Sequence, residues 1–234
     1  MIIGILGGTG PAGKAVGARL ASVGLDVRIG SRQRERAEAV ATELSSKWPG
    51  VPLSLQGVSN QDACEADLVV LATPWDGAAP TVRSLAGKLE GKVVISMVNA
   101  LAKVGDELLA LVPPSGSIAV AVQLAAPGAL VAGAFHHVPA RSLANINHDL
   151  DADVLVCSDR PEATAAAIEL ADLIPGCRGV DAGSLSAAAA IEAFTAVLVG
   201  INIKHKVHSS IRLTGYGSSG HGNAAQDDRQ EERS

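Results

Sequence analysis

The glycine spacing in Gly7-Gly8-Thr9-Gly10-Pro11-Ala12-Gly13 suits one kind of chemistry, the holding of a pyrophosphate. Gly8, Gly10 and Gly13 fill the places of G-x-G-x-x-G. The first permits a tight strand-to-helix turn, the second lets backbone approach the anion, and the third lets helix and strand pack closely. The apolar run Ile2-Ile3-Gly4-Ile5-Leu6 ahead of it reads as a strand, and a helix starting near Pro11 would aim its first N–H groups at the same anion. Thr9, Pro11 and Ala12 lie in this turn and are assigned to the ligand with the glycines. Glycine-rich turns also join strands to helices for steric reasons alone. The placement between a β-branched strand and the helical run 14–23 sets this one apart.

A second strand, Asp26-Val27-Arg28-Ile29-Gly30, ends where a site that prefers NAD carries an acid for the ribose hydroxyls. Here the chain continues Ser31-Arg32-Gln33-Arg34-Glu35-Arg36 instead. A hydroxyl and up to three guanidinium groups suit a 2′-phosphate, which Arg can grip through paired hydrogen bonds, so the expected dinucleotide is NADP. Ser31, Arg32 and Arg36 are assigned to it, and Arg34 is read as a solvent-facing charge on the next helix.

The elements that must position these residues alternate. A charged helix runs from Ser31 or Gln33 to about Trp48, a short strand lies near Leu53-Ser54-Leu55, and a brief helix carries Gln61-Asp62-Ala63-Cys64. The run 66–72 is apolar enough for a strand buried on both faces. A helix over 76–85, a strand over 92–96, a helix over 117–125 and a strand over 130–135 follow. This alternation predicts an α/β fold with a doubly wound parallel sheet of Rossmann type. Ligands of such sheets bind beyond the carboxyl ends of the strands, so the turns at Gly8, Ser31, Thr73, Met97 and His136 should line one crevice, with Pro74 and Val98 beside them. Trp75 is assigned to core packing.

The second half reads as a strand over 153–159, an alanine-rich helix over 161–174, a strand and turn over 177–183, and a long helix beginning at Ser184. That helix carries Ile191, Phe194, Val197, Leu198 and Ile201, a stripe that requires a partner, either the first domain or another subunit. The expected division is 1–151 as the NADP-binding domain, 152–217 as a smaller C-terminal α/β domain, and 218–234 as a polar, disordered tail.

Composition narrows the function class. With 19 basic against 24 acidic residues, a net charge of −5 and 2% aromatic residues, the chain has neither the charge nor the stacking platform of a nucleic-acid binder. Cys64, Cys157 and Cys177 lack metal-ligand spacing and read as reduced core thiols. The amino terminus has no basic region ahead of its apolar stretch, and the apolar stretches 118–135 and 185–203 are interrupted by Gln123, Pro127-Gly128 and Glu192. The expectation is a cytoplasmic protein without membrane contact.

The chain resembles the NADPH-dependent reductases of the deazaflavin coenzyme F420. The resemblance runs from Met1 to about Tyr216. It is carried by Leu6-Gly7-Gly8-Thr9-Gly10, Gly30-Ser31-Arg32 with Arg36, Thr73-Pro74-Trp75, His136 with Pro139-Ala140 and Ala144-Asn145, Asp181-Ala182-Gly183 with Leu185-Ser186, and Ile211-Arg212-Leu213-Thr214-Gly215. It implies hydride exchange between NADP and coenzyme F420, with both rings held between the domains and most of the protein's contribution lying in orientation. It places His136 in the crevice, where two readings stand: a donor to a ring carbonyl or carboxamide, or a histidine satisfied by backbone at a strand end. Val138, Pro139 and Ala140 become the small apolar bed of the deazaflavin, and Leu213 a further contact. Lys204, Lys206 and Arg212 are the basic groups available to its anionic tail. A homodimer is expected. The alternatives are an NADP-dependent reductase of another small acceptor, or an NADP-sensing module without turnover.

Overall fold

The structure, a computed structural model, describes residues 1–105 and 107–216. β1 (Ile2–Leu6) leads into α1 (Pro11–Ser22), β2 (Asp26–Ser31) into α2 (Arg34–Lys47), and β3 (Leu55–Ser59) into a single turn, α3 (Asn60–Ala63). Then come β4 (Leu68–Leu71), α4 (Trp75–Ser84), α5 (Ala86–Leu89) and β5 (Val93–Ser96). A hairpin of β6 (Leu101–Val104) and β7 (Glu107–Ala110) precedes α6 (Ile118–Ala125), β8 (Leu130–Gly133) and α7 (Ala140–Ala144). The chain continues through β9 (Ala152–Ser158), α8 (Pro161–Asp172), β10 (Cys177–Asp181), a 3₁₀ turn (Leu185–Ala187) and α9 (Ala188–His205).

Eight strands form one sheet in the order β10-β9-β8-β5-β4-β1-β2-β3. From β3 to β8 every pairing is parallel, and the strand order reverses at β1, between β2 and β4. This is the doubly wound arrangement expected from the alternation of elements, and its ligand crevice lies at that reversal. β9 runs antiparallel to β8, with β10 parallel to β9. The sheet therefore continues across the 151/152 boundary expected from the sequence.

Period-2 alternation divides the core. Leu68 and Val70 of β4 face one layer, formed by α1, α2, α7 and α8, while Val69 and Leu71 face the other, formed by α4, α6 and α9. All four are buried, as a strand covered on both faces requires. The carboxyl-terminal segment is clasped to β9 and β10 by Asp153, whose fully buried carboxylate accepts from Arg178 at 2.7 and 2.9 Å, Arg212 at 2.9 Å and the Leu213 N–H at 2.6 Å.

Several elements differ from expectation. The third strand occupies Leu55–Ser59 rather than 53–55, because pairing Val27 with Leu55 and Ser31 with Ser59 brings Gly57 against the backbone of α2 at Glu38. The hairpin and α7 were not anticipated. Trp75 opens α4 with 40% of its surface exposed rather than packing in the core. The expected tail, 218–234, lies outside the described residues.

Candidate functional site

Beyond the carboxyl ends of β1, β2 and β4 lies a cavity of about 900 Å³. Its wall brings together Thr9, Gly10, Ser31, Arg32, Arg36, Thr73 and Pro74 from the sequence expectations. A groove of about 580 Å³ between α2 and β3, which includes Arg34, gathers none of these residues.

The glycines of the turn have separable jobs. The left-handed backbone falls on Gly7 (φ 74°), one residue before the position expected to make the turn, while Gly8 is held small by Ile29 Cγ2, 2.9 Å from where a Cβ would sit. A Cβ on Gly13 would come within 2.6 Å of Gly8 Cα, so helix and strand pack through that glycine. At Gly10 the nearest protein atoms to a Cβ are 3.6 and 3.9 Å away, which is ordinary contact distance. Nothing in the protein's own packing demands glycine there, but the position faces the cavity. Gly10 is also the N-cap of α1 and offers no side-chain cap, and Pro11 and Ala12 begin the helix, so its first N–H groups are available to an anion.

Across the cavity the Ser31 hydroxyl accepts the Gln33 N–H at 3.2 Å and retains its own proton to donate. Arg34 turns away to Glu38 at 3.1 Å and Asp62 at 3.3 Å, as a solvent-facing charge should. Among the described residues no carboxylate pairs with Arg32 or Arg36. Thr73 Oγ1 and Asn60 Oδ1 are buried at this wall without hydrogen-bond partners among the described residues, which suits a polar ligand such as a phosphorylated dinucleotide. Asn60, Gln33 and Asp76 also line the cavity and escaped the sequence reading. Asn60 escapes because the expected third strand ends at Leu55, whereas in the structure Asn60 is the first residue past β3.

The remaining expected residues lie outside this lining. Met97 and Val98 are buried after β5, Val138 is buried after β8, and Pro139 and Ala140 are half-buried at the start of α7. His136 is only 3% exposed rather than open to the crevice, and among the described residues neither of its ring nitrogens has a hydrogen-bond partner. Burial, then the neighbouring His137, pushes its pKa down to about 3, against a smaller opposing influence from the Val98 backbone. His137 is pushed down to about 4, chiefly by burial, and its Nε2 accepts the Leu155 N–H at 3.3 Å. Phe135, just before the pair, holds a left-handed backbone (φ 62°), a strain worth about 1–3 kcal/mol in a non-glycine residue. The His136 carbonyl is fixed by Asn99 Nδ2 at 2.8 Å and Thr195 Oγ1 at 3.1 Å, so α9 reaches into this loop.

Leu213 and Arg212 belong to the Asp153 clasp, not to the cavity. Arg212 spends its donors on Asp151, Asp153 and the Gly176 carbonyl, which removes it from the basic groups expected to be free for an anionic tail. Burial pushes all three cysteine thiols up to about 11, so none is a ready nucleophile.

The family model described as "NADP oxidoreductase coenzyme F420-dependent" matches residues 2–100. An "F420-dependent NADP reductase" of Methanocaldococcus jannaschii is 38% identical over 220 residues, covering 92% of this chain and 98% of the relative. The chain belongs to this family. A second F420-dependent NADP reductase, from Methanothermobacter marburgensis, is 34% identical over the same shares of both chains. In fold, this member of the F420-dependent NADP reductases is similar to a crystal structure from Arthrobacter sp. FB24, with a TM-score of 0.73 at 22% identity, covering 89% of this chain and 96% of that one.

Proposed function

We propose that the protein catalyses reversible hydride transfer between NADP(H) and coenzyme F420. The observation that carries the reading is the cavity at the strand-order reversal, where Gly10, the Ser31 hydroxyl and two guanidinium groups without a counter-ion among the described residues converge. The start of α1 holds the pyrophosphate, while Ser31, Arg32 and Arg36 hold the 2′-phosphate. Thr73 and Pro74 border the nicotinamide, with Met97 and Val98 beneath it. Val138, Pro139 and Ala140 form the floor for the second ring. When bound, the two cofactors supply the hydride donor and acceptor, so the protein needs no nucleophile. His136 is neutral at physiological pH and buried outside the cavity, so orientation of the rings falls to the residues that line it. The part from 152 to 216 closes the deazaflavin side.

The test mixes purified protein with NADPH and F420 and follows the deazaflavin absorbance band. Loss of the band on NADPH addition supports the reading. A band that never changes, with NADPH demonstrably bound, leaves a reductase of another small acceptor or an NADP-sensing module.

We place the protein in the cytoplasm as a homodimer. α9 with the preceding 3₁₀ turn is long and apolar enough to cross a membrane, but buried Glu192 bonds the Ile118 and Ala119 N–H groups at 2.8 and 3.0 Å, tying the helix to α6. Its opposite face exposes Phe194, Val197 and Ile201, and that face is assigned to a second copy of the chain.

A further inference from the structure

Arg19 is 1% exposed, yet among the described residues no carboxylate forms an ion pair with it. A buried cation without a counter-ion is costly unless hydrogen bonds replace its water. Here they come from one place. Nε donates to the Leu143 carbonyl at 3.1 Å, and one terminal nitrogen donates to Ser142 at 3.1 Å and Asn145 at 2.6 Å. These are the last carbonyls of α7 and its C-cap, the negative end of that helix. Burial lowers the guanidinium's affinity for its proton, but the group stays charged at any working pH.

The two helices joined by this side chain carry the two halves of the site. α1 starts at the Gly10 turn, and α7 starts at Ala140, immediately after Pro139. The helices pack directly on one another, and Arg19 lies two turns and more down α1 from the pyrophosphate seat. We propose that Arg19 is a positioning residue for hydride transfer, fixing α7 against α1 and so setting the separation of the two cofactor rings. This rests on the reading under Proposed function. Transfer needs the reacting carbons about 3–3.5 Å apart, and a slip of about 1 Å can cost roughly a hundredfold.

The test uses R19M, which keeps most of the apolar stem, and R19K, which keeps the charge but presents one donor head. In the ligand-free protein, amide exchange at residues 140–145 should quicken at least about tenfold in R19M, since the carbonyls that anchor the helix lose their cap. With cofactors, NADP and F420 dissociation constants should stay within about threefold of the parent. Single-turnover transfer should fall by about tenfold to a hundredfold, with R19K intermediate. Variants that lose only thermal stability while transferring hydride at the parent rate would make Arg19 structural and overturn the inference, as would failure of both to fold. A parent protein that never transfers hydride to F420 would instead sink the underlying reading, and this inference with it.

Discussion

Gly10 and Gly13 stand three residues apart and are glycines for different reasons, which separates their substitutions. A side chain at Gly13 collides with β1's own turn, so that position is structural; one at Gly10 meets only the cavity. Gly10→Val should leave the fold intact and abolish NADP binding, as read by cofactor fluorescence with the circular dichroism spectrum as control. Arg32→Ala should weaken NADP binding by about ten- to hundredfold, roughly 1.5–3 kcal/mol, and leave NAD almost unchanged. Equal losses for the two cofactors would make Arg32 structural. His136 belongs to a different regime. With pKa values near 3 and 4, His136 and His137 are neutral in the folded state while unfolded histidines titrate near 6.5. The unfolded chain therefore binds more protons below that pH. Stability should be fully present above about pH 6.5 and decline as pH falls toward 4, and His136→Asn should remove part of that decline. The hydride-transfer rate should show no His136 titration between pH 5 and 8. The turn, the Ser31-Arg32 pair and Thr73 were legible in the sequence because each stands at a strand end, where the fold class alone dictates placement. The burial of His136 was not legible, since alternation along a strand says nothing once the backbone turns left-handed at Phe135.

At the scale of elements, strong periodic segments gave themselves away and weak ones did not. β1, β4 and β5 are short apolar runs and β2 alternates apolar with charged residues; the bounds of all four fall within a residue or two of expectation. β3 contains Gln56-Gly57, a pair with little strand propensity, and is a strand because β2 and α2 hold it there. The β6–β7 hairpin has the two-residue turn signal Gly105-Asp106, but its four-residue strands are too short for a clear alternation, and five-residue α7 is too short for a period to show. The Arg212-Leu213 stretch is where family resemblance and geometry diverge most. It reads as ligand-binding in sequence, yet it latches the carboxyl-terminal segment to Asp153. Burial alone would push that carboxyl up; the hydrogen bonds from Arg178, Leu213 and Arg212 outweigh it and hold the pKa at about 2. The latch thus stabilises the fold fully above about pH 4, the unfolded carboxyl's range, and is lost as pH falls toward 2. Asp153→Asn should lower stability by on the order of 2 kcal/mol at pH 7 and flatten the acid limb of a urea-unfolding series between pH 4 and 2. An acid limb identical to the parent's would place that pH dependence elsewhere.

For the whole molecule, the decisive surface is the outer face of α9. The helix is about 27 Å long, and between Ser184 and Ile203 its one charged residue, Glu192, is turned inward. Outward it shows Phe194, Val197 and Ile201, with exposed Gly200 among them leaving room for another backbone to approach. β7 packs against the same helix, and its hairpin adds exposed Val104 and Leu109, so the apolar surface extends past the helix itself. Exposed apolar side chains gathered on one helix face are rarely left to water. In the proposed homodimer a second copy would offer the same stripe about a two-fold axis, and a stable contact of about 800 Å² per partner needs roughly the helix and hairpin combined. Val197 is 54% exposed, so Val197→Glu should fold normally while placing a charge at the centre of the contact. Light scattering at micromolar concentration should report a dimer for the parent and a monomer for the variant, with NADP affinity preserved because the cavity lies at the β1 reversal. A parent that stays monomeric would overturn the homodimer itself, and a variant that stays dimeric would move the interface away from α9.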